Sequence, residues 1–503
     1  MRRAALATLL GLSLAATTLA AAQAQAAPRQ ADLAALVKVE NVRHHQLNLQ
    51  KISDANGGNR AAGLPGNVIT VKYIADQLKR AGYSPTVQNF QFDFWQETAE
   101  PSFAQTAPEQ KTFEPGTDFQ TLQYSGSGDV TGAASPVDPG ATGLGSGCEA
   151  DDFAGFPKGR IALIQRGGCF YSVKADNAIA AGAAAIVIYQ LPGQPGPVAG
   201  TLTKPYGVPV IGPTNAIGKA LVEQAQSGGV TLRVKTETFT EKRGAANVVA
   251  DTGRGRADNV VVVGAHNDSV IEGPGINDNG SGVAALLELA KQINKLGDKQ
   301  LRNKVRFAFW GAEEEGLLGS QYYVANLPQA ERDKIALNLN FDMIGSPNFV
   351  RFVYDGDNST GGSTVPPPAG SGAIEKAFTD YFAKRKLATD QTAFDGRSDY
   401  NAFITVGIPA GGLFTGAEGI KTAEQAKVYG GKAGVAYDPC YHSVCDRYDN
   451  VDVKGLDQML DGTAAVTQLF AHSTLTVNGN EFARRNAPAR PATPDRIGHY
   501  ATR

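Results

Sequence analysis

At 503 residues, with 42% apolar and 19% charged side chains and a formal net charge of −2, the chain has the composition of a globular protein, not a disordered one. Its length supplies two or three domains. Basic residues are scattered along the chain, so no nucleic-acid partner is expected.

Residues 1–26 carry Arg2 and Arg3, an apolar run from Ala4 to Ala22, and small residues at Ala22, Ala24 and Ala26. These are the charged, apolar and A-x-A zones of a secretory signal peptide, so an extracellular or periplasmic protein is expected. Cleavage there removes two arginines and no acid, taking the net charge from −2 to −4. No later segment approaches the roughly 18 apolar residues of a membrane span. In an exported chain, Cys148, Cys169, Cys440 and Cys445 are expected to pair as sequence neighbours, Cys148 with Cys169 and Cys440 with Cys445.

Leu33, Leu36 and Val37 share one face of a helix predicted from Gln30 to about Gln50. His44 and His45 fall within it and read as a solvated surface pair. Residues 55–65, ANGGNRAAGLP, form a loop; Val71, Ile74, Ala75 and Leu78 then mark a helix, and Tyr83 to Phe94 a strand. Residues 96–135 lack a pattern and are rich in Thr, Gly, Ser and Pro, which predicts a boundary. Between about 122 and 240, short strands (160–165, 185–189, 208–211) alternate with two helices, Ser172 to Ala181 and Ile217 to Gln226. The segment GRIALIQRGGCFYSVKADNAIAAGAAAIVIY resembles a protease-associated (PA) domain, which implies a β-rich α+β accessory unit. Such a unit either shapes access to a site or serves as a stabilising insert.

From about 244 the pattern becomes α/β, with strands predicted at 246–250, 260–263, 304–310, 336–341 and 407–414 and helices at 316–326, 372–386 and 455–473. A mixed, mostly parallel sheet with helices on both faces is expected. The α/β unit is then split, residues 27–121 and 241–475 enclosing the insert at 122–240, with a flexible tail over 476–503.

The chain is organised around residues 259–282, NVVVVGAHNDSVIEGPGINDNGSG. Val260 to Val263 read as a strand buried on both faces and bounded by Gly264. His266, Asp268 and Asp278 follow, then a helix with Val283, Leu286, Leu287, Ala290 and Ile293 in step. Ligands collect at the carboxyl ends of strands in open α/β sheets, and imidazole with carboxylate suits a zinc-like ion. The strand at 304–310 runs into Glu313-Glu314-Glu315, the strand at 336–341 into Asp342, and His442 lies between Cys440 and Cys445.

HNDSV…GINDNGSG, FAFWGAEEEGLLGS, LNFDMIGSPN, FDGRSDY, GGLFTGA and CYHSVCD together resemble the secreted bacterial co-catalytic dizinc aminopeptidases of the streptomycete leucine aminopeptidase type. The resemblance covers nearly all of 244–475, and 55–94 fits the family's N-terminal portion. It implies two zinc ions per chain, His266 and Asp342 on one, Glu314 and His442 on the other, and Asp278 bridging both. It further implies Asp268 fixing the His266 tautomer, a cis Asp278–Asn279 peptide, Glu313 as general base, and Tyr441 as donor to the oxyanion. Gly275, Gly280 and Gly282 would allow close backbone approach.

Arg397 is implied as a substrate contact; an ion pair with Asp399 or Asp395 is the alternative. Met343 and Phe414 are implied in the apolar pocket for the first side chain, with plain core as the alternative. Three positions depart from the family. Asn267 replaces a larger apolar residue, Tyr400 stands where a histidine is expected, and Gln391 where an acid binding the substrate amine is expected. The expected function is removal of N-terminal, mostly large apolar residues from peptides and proteins by a monomer. The alternatives are a glutamate carboxypeptidase, a glutaminyl cyclase, or a catalytically dead binding protein.

Overall fold

The computed structural model describes residues 31–138 and 145–479. The expected signal peptide lies outside them, as does the tail from 480 on.

The strand Arg256–His266 is the centre of the larger unit. Its neighbours Asn303–Trp310 and Ile335–Phe341 both run parallel to it, and Ala410–Phe414 runs parallel to the latter. On that side Phe352–Tyr354 pairs antiparallel with Ala410–Phe414 and parallel with Asp390–Thr392. On the other side Thr231–Asp251 pairs antiparallel with Asn303–Trp310. The four valines are fully buried, but they divide by the period-2 rule of a strand. Val261 and Val263 pack with the helix Gly280–Ile293 and the helices Val39–Asp54 and Val453–His472, whereas Val260 and Val262 meet Trp310, Tyr323 and Phe403 on the opposite face.

Gly264 does not end the strand, as the sequence had suggested; the strand runs through it to His266. A Cβ on Gly264 would stand 2.6 Å from the Trp310 Nε1 atom, so the glycine is a slot for the indole. Leu475–Asn478 form one more helical turn whose Val477 is buried, where a tail had been expected.

Residues 96–135 also depart from expectation. Thr86–Ala107 is a single long strand paired antiparallel with Thr231–Asp251, from Thr86 opposite Val249 to Ala107 opposite Thr231. At one end Phe90, Phe92 and Phe94 pack on Ala245 and Ala312 of the larger unit. At the other end Phe103 packs with Phe113, Phe119 and Leu163 of the smaller unit. The middle, from Trp95 to Glu100, is partly exposed on both sides and so carries no alternation.

The smaller unit has three parallel strands, Ile161–Gln165, Ala185–Tyr189 and Val210–Pro213, with Gly128–Pro136 parallel to the first. Helices Tyr171–Ala180 and Asn215–Ser227 join two apolar clusters, one on each side of the strands. Cys148 bonds to Cys169 and Cys440 to Cys445. Among the described residues no helix is long and apolar enough to cross a membrane. His45 corrects the reading of a solvated pair: it is buried with Nδ1 2.6 Å from the Tyr73 hydroxyl, and burial pulls its pKa down to about 4, while His44 is exposed.

Candidate metal centre and active site

The parallel strands deliver their ends to one place. His266 is the last residue of its strand, Glu313 and Glu314 follow Trp310, and Asp342 follows Phe341. Asp278 ends the loop before the helix Gly280–Ile293, and its peptide to Asn279 is cis. Ala312, Met343 and His442, each at or beside a candidate ligand or the candidate base, adopt the left-handed backbone that non-glycine residues rarely take.

Asp278 shares its two oxygens between two clusters. Its Oδ1 lies 3.1 Å from His266 Nε2, which is 3.3 Å from Asp342 Oδ1. Its Oδ2 lies 3.3 Å from His442 Nε2, which is 3.2 Å from Glu314 Oε2. Donors held tetrahedrally at about 2.0–2.1 Å from a zinc ion stand about 3.3 Å apart, so both clusters have the spacing of a ligand shell. Asp268, Asp278, Glu313, Glu314 and Asp342 are all buried, and so many carboxylates out of water require cations. Asp342 Oδ1 is buried without a hydrogen bond, as is His266 Nδ1. The donor set fits a pair of divalent ions.

The protons of the metal-free set follow the same charges. Burial opposes the charge on His442, but Glu314 and Asp278 outweigh it and push its pKa up to about 9. Burial likewise opposes the charge on His266, and Asp342 and Glu313 outweigh it. Burial, reinforced by Glu314 and Asp342 against the pull of His266, drives the Glu313 carboxyl well up. Glu313 Oε2 stands 3.8 Å from His266 Nε2, within reach of the His266–Asp342 cluster.

The groups that hold this centre come from distant segments. Both Asp268 oxygens face the turn after Trp310, accepting from the Glu313 and Glu314 amides at 3.2 and 3.3 Å, while its Oδ1 is 3.6 Å from His266 Nδ1. Sequence reading passed over three supports. Asp446 accepts from the Asn277 and Asp278 amides at 2.8 and 2.9 Å and so fixes the backbone that carries Asp278; burial and Asp438 push its pKa up to about 8. Ser398 donates to Asp342 Oδ2. Arg60, fully buried, donates to the carbonyls of Asn267, Pro274 and Gly275 at 2.6 to 2.9 Å and clamps the loop that carries Asp278.

Asn267 is polar because it is wired in: it donates to the Ala246 and Phe309 carbonyls and accepts from Asn67. Gly275 and Gly282 lack room for a side chain, a Cβ falling 2.2 Å from the Asp278 and Phe341 carbonyl oxygens respectively.

Residues 247–467 match Peptidase family M28 and residues 133–221 match the PA domain. An aminopeptidase of Pseudomonas aeruginosa is 47% identical over 451 residues, spanning 88% of this chain and 82% of its own length. The chain belongs to peptidase family M28. Leucine aminopeptidase 2 of Trichophyton equinum is 40% identical over 472 residues, 93% of this chain and 89% of its own. Among solved structures, the aminopeptidase from Aneurinibacillus sp. strain AM-1 superposes with a TM-score of 0.71 at 28% identity, over 90% of this chain and 99% of that one. A zinc aminopeptidase from Bacillus subtilis gives a TM-score of 0.56 at 26% identity, over 86% and 94%. The PA domain is therefore an insert between the N-terminal elements and the rest of the M28 unit.

In this M28 protein a cavity of about 220 Å³ opens on the candidate ligands. Met343, Phe352, Tyr354 and Phe414 give it an apolar end, so Met343 and Phe414 face the cavity as well as the core. Arg397 also lines it, but its ion partner is Glu418 at 2.5 Å, not Asp395 or Asp399; its other nitrogen is 3.2 Å from the Tyr441 hydroxyl. Tyr441 stacks on the His442 ring, with centroids 3.8 Å apart, and burial pushes its phenol pKa well up, so it stays a donor. Tyr400 is a core residue bonded to Asp395. Gln391 lies off the cavity, donating to Ser359 and Glu375, so that position contributes no acid to amine recognition. The acids that line the cavity beside the ligands are Glu313, Asp395 and Glu418.

Proposed function

We propose that this M28 protein is a secreted, monomeric two-zinc aminopeptidase that removes N-terminal residues, favouring large apolar ones such as leucine. His266 and Asp342 would hold one ion, Glu314 and His442 the other, and Asp278 both. The observation that carries the reading is the division of Asp278 between two imidazole–carboxylate clusters at the mouth of a small, apolar-ended cavity. Zinc bound there polarises the substrate carbonyl and lowers the pKa of the attacking water.

The chain's own residues do the rest. The apolar end of the cavity takes the first side chain. Glu313 takes the proton of the attacking water on its carboxylate and delivers it to the leaving amine. Tyr441, kept protonated and steadied by Arg397, donates to the carbonyl oxygen as it gains charge. Asp395 and Glu418 offer carboxylates to the free amine. The leucine aminopeptidase and zinc aminopeptidase relatives support this reading, and the two disulfides suit an exported chain.

Hydrolysis of leucine p-nitroanilide by the purified protein, after chelation and again after zinc is returned, tests it. Activity should vanish and then recover with two zinc ions per chain. Turnover that survives complete metal removal, or a folded two-zinc protein that cleaves nothing, would overturn the reading.

A further inference from the structure

A second and larger cavity, about 490 Å³, lies in the cleft between the two units. We propose that it seats the peptide beyond the cleaved bond and that its carboxylates select substrates with lysine or arginine there. The inference rests on the aminopeptidase reading above.

Glu314 lines both cavities, so the cleft begins where the catalytic cavity ends. A substrate whose first side chain fills the apolar end near Met343 and Phe414 must run its remaining residues out past the ligands, and the cleft, which shares Glu314 with the catalytic cavity, is the adjoining space. Its walls come from both units: Val270 to Glu272 and Glu314 to Glu315 from the peptidase side, and segments around Trp95, Thr121 and Thr201 from the long strand and the PA domain. Gln123 Nε2 donates to Glu315 Oε2 at 2.8 Å and ties the PA domain to the turn that carries Glu314.

The charge of the lining decides the ligand. Glu97, Glu272 and Glu315 face the cleft beside the candidate ligand Glu314, and no lysine, arginine or histidine lines it among the described residues. Thr121 Oγ1 donates to Glu97 Oε1 at 2.6 Å and holds that carboxylate in place. Trp95 is fixed by its Nε1 donating to the Ser125 carbonyl at 2.9 Å, which leaves its ring as a wall for a cationic side chain. A peptide's terminal carboxylate meets four carboxylates and no cationic side chain in the lining.

The test compares the amidated tetrapeptides Leu-Lys-Ala-Ala and Leu-Glu-Ala-Ala by kcat/KM, and by their affinity for the zinc-loaded Glu313→Gln protein. The lysine peptide should lead by about tenfold in both, and Glu97→Gln combined with Glu272→Gln should bring the ratio towards one. A ratio near one in the wild type, or one unchanged in the double variant, overturns the proposal. Leucine p-nitroanilide, which has no residue to place in the cleft, reports the aminopeptidase reading separately. A protein inactive on it that still binds the lysine peptide more tightly would keep the cleft and lose the activity.

Discussion

Both units of the molecule set short parallel strands between helices, yet only one ends its strands in groups able to hold a cation. In the peptidase unit the strand ends deliver His266, Glu313, Glu314 and Asp342 to one point, with Asp278 and His442 brought over them by loops. In the PA domain the corresponding ends carry Arg166, Gln190 and Thr214, with Asp138 past the parallel strand Gly128–Pro136 in no metal-capable cluster among the described residues, and no histidine occurs in the domain. The charge buried there is Lys174, which donates to the Ser146 carbonyl beside the Cys148–Cys169 bridge. Architecture alone therefore does not make a site; the residues at its rim do. The PA domain contributes differently, by walling the cleft that leads away from the centre.

The sharpest test of this division is Glu313→Gln. Glutamine keeps the shape and cannot take a proton, so kcat should fall by about a hundred- to ten-thousandfold while the zinc content stays at the wild-type level. Metal analysis beside steady-state kinetics on leucine p-nitroanilide reads both. An unaltered rate would mean that proton transfer belongs to another group, with Asp395 or Glu418 next in reach of the cavity.

Arg60→Met asks whether the centre depends on its clamp. Three loop carbonyls would lose a fully buried donor, at a cost of about 3 kcal/mol or more. Thermal unfolding should show the loss, and zinc affinity should fall about ten- to hundredfold because the Asp278 loop is no longer fixed. Wild-type stability and affinity would show that the loop holds its own shape. A PA-domain substitution of equal size, such as Lys174→Met, should leave zinc affinity alone.

The contrast between what the sequence discloses and what it conceals follows the range of the interactions. Val260 to Val263 announce a strand buried on both faces because burial acts residue by residue, and acids or imidazoles just past such strands stand out against an apolar run. Arg60 carries no such signal: its acceptors lie 207 to 215 residues away, and its Gly-rich surroundings read as an ordinary loop. Asp446, 168 residues from Asp278, and Ser398, 56 from Asp342, are equally silent, although CYHSVCD and GRSD contain them. Gly264 misleads for the same reason, since the indole that fills its place belongs to the neighbouring strand. The ladder between Thr86–Ala107 and Thr231–Asp251 is concealed because its exposed middle buries no regular face.

The smallest effect belongs to the PA domain and separates a structural charge from a functional one. Burial pulls the Lys174 ammonium from the usual lysine value of 10.5 down to about 8, with Asp152 opposing. Below about pH 8 the folded and unfolded chains both hold its proton, and the group adds no pH dependence. Between about 8 and 10.5 the unfolded chain keeps a proton that the folded chain releases, so stability rises with pH across that window, by at most about 1.4 kcal/mol per unit. Lys174→Met removes the titration. The urea midpoint of the wild type relative to this variant should therefore climb from pH 8 to 10, and a constant difference would show that the ammonium keeps its ordinary affinity for a proton. Because Lys174 lies in the PA domain and does not line the catalytic cavity, the climb should occur with zinc affinity unchanged, unlike the Arg60 case, where stability and metal binding fall together.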